Sequence, residues 1–341
     1  MRKRFFWLLA TIMMCGVMMT GLTSCSDNDD NKGNNQKKVA VLLPDNSRIE
    51  RWGIDKANLE AVMTSYGFNT TFYVAPETPE GAVQQVEQLK KAINDGVKYI
   101  VVTAIDYKKI NESGLLKEHP DVKVVCHDRF IMDNPYVAYL SSADTKEIGR
   151  TQAQFLLNYF HASGKTSMTL EILQGPETDV NAKDYYDGAM ELLKKYIGNG
   201  LEVQSGKKEY AQVKGDSWNV ADGKKAMQDR LTAYSTGDCP DMILAANDNL
   251  AQGAIEALKE AGVTTMPVIT GQDNTATAQD YINKGWQTMT IDKNLKDMAY
   301  NTAMIVNGLI SNSPVRTSQS MPAPALPVMS RFLASRTHSH F

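Results

Sequence analysis

Between Lys38 and Leu309, short β-branched runs alternate with stretches whose apolar residues recur at helical spacing. That alternation predicts βαβ units and a parallel sheet. Val39 to Leu43 reads as a first strand, and Leu59, Val62, Met63 and Tyr66 line one face of a helix that Gly67 stops. Strands follow at Thr70 to Val74, Tyr99 to Thr103, Val122 to Val125 and Tyr136 to Leu140, with a helix from Val83 to Ile93 closed by Gly96. The cycle then restarts. Helices are expected from about Asp144 to Phe160, Ala182 to Tyr196, Trp218 to Tyr234 and Leu250 to Ala261. Strands are expected at Ser167 to Leu173, Leu201 to Gln204, Met242 to Ala245 and Val268 to Thr270. Two successive runs of domain size predict an α/β fold of two similar doubly wound lobes with a cleft between them.

Four polar clusters stand just after apolar runs: Asp128-Arg129, Asn181-Ala182-Lys183, Asn247-Asp248 and Gln272-Asp273. In an open parallel sheet the carboxyl ends of the strands face the ligand crevice, so polar groups planted there point at a ligand and not at the core. Carboxylates, amides and an arginine suit a neutral polyhydroxyl ligand, and no obvious catalyst stands among them. Each cluster also has a plainer reading. Asp128-Arg129 would serve as a structural ion pair, Asn247-Asp248 as a helix cap, and Trp52 and Trp218 as core residues.

The ends of the chain differ from its middle. Met1-Arg2-Lys3-Arg4, an apolar stretch from Phe5 to about Met19, and Leu22-Thr23-Ser24-Cys25 form an export signal, too short for a spanning helix. Residues 26–37 are almost wholly polar and read as a flexible tether. Residues 313–341 are rich in Pro, Ala and Ser, with prolines at 322, 324 and 327, and read as an atypical tail outside the fold. The formal net charge of −3 leaves no basic footprint for nucleic acid, and the five histidines lack metal-ligand spacing. Cys126 and Cys239 fall in different expected lobes, so no disulfide is expected between them. No cofactor is implied.

Taken in order, Arg48-Ile49-Glu50-Arg51-Trp52, His127-Asp128-Arg129, Asp179-Val180-Asn181-Ala182-Lys183, Ala246-Asn247-Asp248, Gly271-Gln272-Asp273 and Gln287-Thr288-Met289-Thr290 leading to Lys293 resemble type I periplasmic binding proteins for sugars. The likeness is to the xylose-binding and multiple-sugar-binding branch. It implies lobe one at 38–142 plus 294–312, lobe two at 143–293, and hinge crossings near Ser141, Asp292 and Ser313. By the same resemblance Arg51, Asp128, Arg129, Asp179, Asn181, Asn247, Asp273 and Lys293 are expected at the rim of a sugar site, with Trp52 and Trp218 as its stacking faces. Glu50, Lys183 and Gln272 are left outside it.

Cys25 resembles a lipobox cysteine, and the acidic Ser26 to Asp30 resembles the surface-export signal of Bacteroidetes lipoproteins. The expected protein is a monomeric, lipid-anchored receptor of the cell envelope, facing the periplasm or on the outer-membrane surface. It would bind a monosaccharide such as xylose without chemistry and deliver it to a membrane permease with its ATPase, or present its closed form to a sensor kinase. A nucleotide-dependent enzyme would need a Gly-rich loop where Pro44-Asp45-Asn46-Ser47 stands. A two-lobed transcriptional regulator would need a helix-turn-helix where the export signal lies. On this reading Asp273→Ala and Trp218→Ala should each abolish a sugar-induced thermal shift, with the ligand-free melting temperature nearly unchanged.

Overall fold

A computed structural model describes residues 37–47, 49–315 and, as backbone, 331–334. The export signal, Cys25, Arg48 and most of the tail lie outside the described residues. The chain begins with β1 (Lys38–Pro44), α1 (Arg51–Ser65), β2 (Asn69–Ala75), α2 (Pro79–Asn94), β3 (Tyr99–Val102), α3 (Tyr107–Glu112), α4 (Leu115–Glu118), β4 (Lys123–His127) and β5 (Val137–Ser141). These strands form one parallel sheet in the order β2-β1-β3-β4-β5. Val39 to Leu43 are all buried, as expected of a strand covered by helices on both faces.

Next come α5 (Thr145–Ala162), β6 (Met168–Leu173), α6 (Val180–Leu193), β7 (Leu201–Glu202), α7 (Tyr210–Val213), α8 (Val220–Leu231), β8 (Met242–Ala245), α9 (Asp248–Glu260), β9 (Val268–Ile269), α10 (Ala276–Asn283) and β10 (Met289–Asp292). Strands β7-β6-β8-β9 form a second parallel sheet. Then α11 (Leu295–Ile310) returns to the first sheet. Its Ala299, Ala303 and Val306 join Val39, Val41, Leu59 and Val101 in one buried cluster. Inside the tail, β11 (Arg331–Ala334) pairs antiparallel with β10, Ile291 facing Phe332. This stretch of the tail, expected to lie outside the fold, adds a strand, because β10 offers a backbone edge.

Two boundaries move in ways that matter for the site. The expected Trp218 helix begins only at Val220, with Asn219 accepting from Asp222 N as its cap. Trp218 therefore sits in the preceding loop, free to point away from the helix axis. The fourth strand runs on to His127, which delivers Asp128 directly to the sheet end.

Candidate functional site

The carboxyl ends of β4 and β6, the loop before α8, and the segments after β8, β9 and β10 converge on one cavity with about 260 Å³ of atom-free space. All ten residues expected at the site line it. Its wall carries three cations, Arg51, Arg129 and Lys293, and three carboxylates, Asp128, Asp179 and Asp273, all at least nine-tenths buried. Such balance favours a neutral ligand over an anionic one.

Asp128 and Arg129 do not pair with each other. Arg51 reaches Asp128 at 2.8 Å and Asp55 at 2.9 Å, and stands 3.7 Å from Asp273. Lys293 pairs with Asp273 at 2.6 Å. Arg129 pairs with Asp179 at 2.7 Å and also with Glu77. Burial alone would raise the Asp128 carboxyl, but the charges of Arg51, Lys293 and Arg129 outweigh it and hold the group well below the usual carboxylate range. Burial raises the Asp179 carboxyl, with Arg129 opposing. Burial also disfavours the charge on Arg51, yet Asp128, Asp55 and Asp273 more than restore it, so this guanidinium stays protonated.

The backbone is bent to place these groups. Asp128 has φ 66° and Asp273 φ 103°, both in the positive region that non-glycine residues avoid. Such strain persists only where the surroundings impose it, and it turns each carboxylate off its strand into the cavity. Asp179 caps α6 through Asn181 N at 3.0 Å, and Asn247 caps α9 through Leu250 N at 2.9 Å. Asn247 thus caps its helix, as its plainer reading has it, and also lines the cavity.

The two tryptophans are tied down as well as buried. Trp52 donates to Glu77 at 3.2 Å, and its ring lies beneath the guanidinium carbons of Arg51 at 4.5 Å and Arg129 at 4.9 Å. Trp218 donates to Asp179 at 2.9 Å and meets Tyr185 edge-on. Its ring packs on Gly175, where a Cβ would lie 2.3 Å from the indole.

Sequence reasoning missed three wall residues, Ile49, Tyr185 and Gln272. Tyr185 stands one helical turn after Asn181, a spacing that could have found it. Gln272, left outside the expected site, is buried in the wall and its Oε1 has no protein partner. Lys183 pairs with Asp187 on the surface, as its exclusion implied. Asp248 is no wall residue: it accepts from Thr275 N, Gln287 and Thr290 and braces the β9–β10 loops. Among the described residues no His, Cys, Asp and Glu cluster could hold a metal ion, and no helix is long and apolar enough to cross a membrane.

The periplasmic binding protein domain model matches residues 39–313. The chain is 31% identical to the multiple sugar-binding periplasmic receptor ChvE of Rhizobium radiobacter, over 80% of this chain and 77% of that protein. It is 30% identical to the D-xylose-binding periplasmic protein of Escherichia coli, over 79% of this chain and 76% of that one. An ABC transporter solute binding protein from Clostridium phytofermentans, solved with β-D-glucose, superposes with a TM-score of 0.78 at 26% identity, covering 83% of this chain and 87% of that one. The Caulobacter myo-inositol binding protein shares the fold, with a TM-score of 0.69 at 19% identity, covering 87% of this chain and 93% of that one. The match spans both sheets and every strand-end cluster that builds the cavity, so the chain belongs to the periplasmic binding protein domain family and has its type I fold.

Proposed function

We propose that this protein is an extracytoplasmic receptor that binds a monosaccharide, xylose or a related aldose, in the cavity between its two sheets and delivers it to an ABC transporter. The observation that carries this reading is that three cations and three carboxylates, paired among themselves and with their neighbours, line one buried cavity together with Trp52 and Trp218. Charged partners strengthen hydrogen bonds to neutral hydroxyls, and aromatic rings cover the apolar C–H face of a sugar. The names of the similar receptors for xylose, for several sugars and for glucose support the same class.

Residues 38–142 with 294–312 act as lobe one and residues 143–293 as lobe two, and contacts with the sugar favour the closed arrangement. The protein acts as a monomer held at the cell envelope by lipidated Cys25. Its function is binding and release, with no bond made or broken.

A thermal-shift screen of monosaccharides tests this. A ligand at a hundred times its dissociation constant stabilises by roughly 2.7 kcal/mol, which an aldose should deliver. A screen in which no aldose or polyol shifts melting, while some other solute class does, overturns the reading.

A further inference from the structure

A second cavity, with about 540 Å³ of atom-free space, lies behind one wall of the first. Its lining comes from both halves of the chain: Pro79, Ala82 and Ile105 from the first, Pro176, Thr178 and Ser217 from the second. Glu77 lines this outer cavity and is only 8% exposed. On its inner side, one carboxylate oxygen accepts from the Trp52 indole at 3.2 Å and the other pairs with Arg129, and both of those residues line the inner cavity. Arg129 also donates to Ala104 O at 3.4 Å, next to Ile105 of the outer lining. Asp179 and Trp218, bonded to each other at 2.9 Å, continue the partition beside Thr178 and Ser217.

We propose that Glu77 is a specificity-determining residue that closes the sugar chamber at this end, so that the protein accepts a free monosaccharide and rejects the same sugar carrying a substituent on the oxygen that faces Arg129. This inference rests on the monosaccharide reading above. The chamber is small and its wall is a chain of buried ion pairs, so an added methyl group finds no space without separating Glu77 from Arg129. Beyond that wall there is room, and Pro79, Ala82, Ile105 and Pro176 offer it an apolar surface. Shortening Glu77 removes the anchor behind Trp52 and Arg129, which line the inner cavity, and lets them yield toward the outer space while leaving Arg129 its contact with Asp179.

The test is calorimetric titration of the full chain with the aldose that shifts melting most, its two methyl glycosides and its mono-O-methyl ethers. Wild-type protein should bind each methylated sugar at least about 100-fold more weakly than the free aldose. In Glu77→Ala that ratio should fall below about tenfold for at least one derivative, whereas Glu77→Gln, whose amide fills the same volume, should keep the wild-type ratios. Should Glu77→Ala fail to fold by circular dichroism, Glu77→Asp, one methylene shorter, should move the same ratio in the same direction. A wild-type protein that binds a methylated sugar as tightly as the free one overturns the proposal. So does a shortened variant that leaves every ratio unchanged, or one that behaves like Glu77→Gln. Failure of wild-type protein to bind any aldose is a separate result, which removes the monosaccharide reading and this inference with it.

Discussion

Arg129, at the end of the first sheet, and Asp179, at the head of a helix rising from the second, face each other at 2.7 Å with both side chains 4% exposed. The pair ties the two halves of the chain together at the wall of the cavity. Paired buried charges add little net stability, but removing one partner strands the other.

Asp179→Ala should therefore cost about 3 kcal/mol, because Arg129 keeps Glu77 but loses its second carboxylate and Trp218 loses its acceptor. Replacing both members by leucine should cost less than the sum of the two single losses but not restore wild-type stability, because Glu77 then loses Arg129 and Trp218 still lacks Asp179. Differential scanning calorimetry of the single and double variants checks this, and an additive double variant would argue against coupling between the two residues.

Asp273→Ala should lower the ligand-free melting temperature, contrary to the sequence expectation of little change. The structure supplies the reason: Lys293 is 2% exposed and pairs with Asp273 at 2.6 Å, so truncation leaves a buried ammonium without its counter-charge. A loss of about 3–5 kcal/mol is expected, with partial rescue by adding Lys293→Met. Trp218→Ala should also cost about 3–5 kcal/mol, since the ring is buried against Tyr185 and Gly175. A thermal melt without ligand distinguishes these outcomes from the earlier expectation.

Gly175→Ala should abolish binding through Trp218. Its new Cβ would meet the indole carbons at 2.3–2.5 Å, so the ring must leave its place. A fall in affinity of at least about 100-fold is expected, together with a change in tryptophan fluorescence and unchanged far-ultraviolet dichroism. Wild-type affinity in this variant would show that the position of Trp218 is not needed.

Stability should carry the signature of Asp248. Burial and the Asp273 charge push its carboxyl up from 3.8 to about 7, against three hydrogen-bond donors. Because the folded value lies above the unfolded one, the stabilisation is complete below pH 3.8 and is lost as pH rises through about 7. Relative to Asp248→Asn, the wild type should lose up to about 4 kcal/mol between pH 4 and 8. Parallel pH profiles for the two proteins would remove this assignment. Asp128 acts in the opposite sense: its value is lowered below the ordinary 3.8, so its contribution is present above that value and is lost only in strong acid.

The element order and most strand positions were legible in the chain, because parallel strands buried on both faces need unbroken apolar runs such as Val39 to Leu43. The strand-end clusters were legible for a related reason. Polar residues directly after such runs have no place in a core, and a crevice is where the fold puts them. The sequence therefore determined the fold class and ten of the thirteen residues that line the cavity.

What the sequence could not decide was pairing. That Asp128 takes Arg51 and not its neighbour Arg129, that Arg129 reaches Glu77 and Asp179, and that Lys293 closes on Asp273 depend on distances between segments tens to hundreds of residues apart. The roles of Glu77, Gln272 and Tyr185 emerged for the same reason. Charge attraction and steric exclusion act through space and fall off over a few ångströms, so only the folded arrangement of two sheets could assign each group its partner.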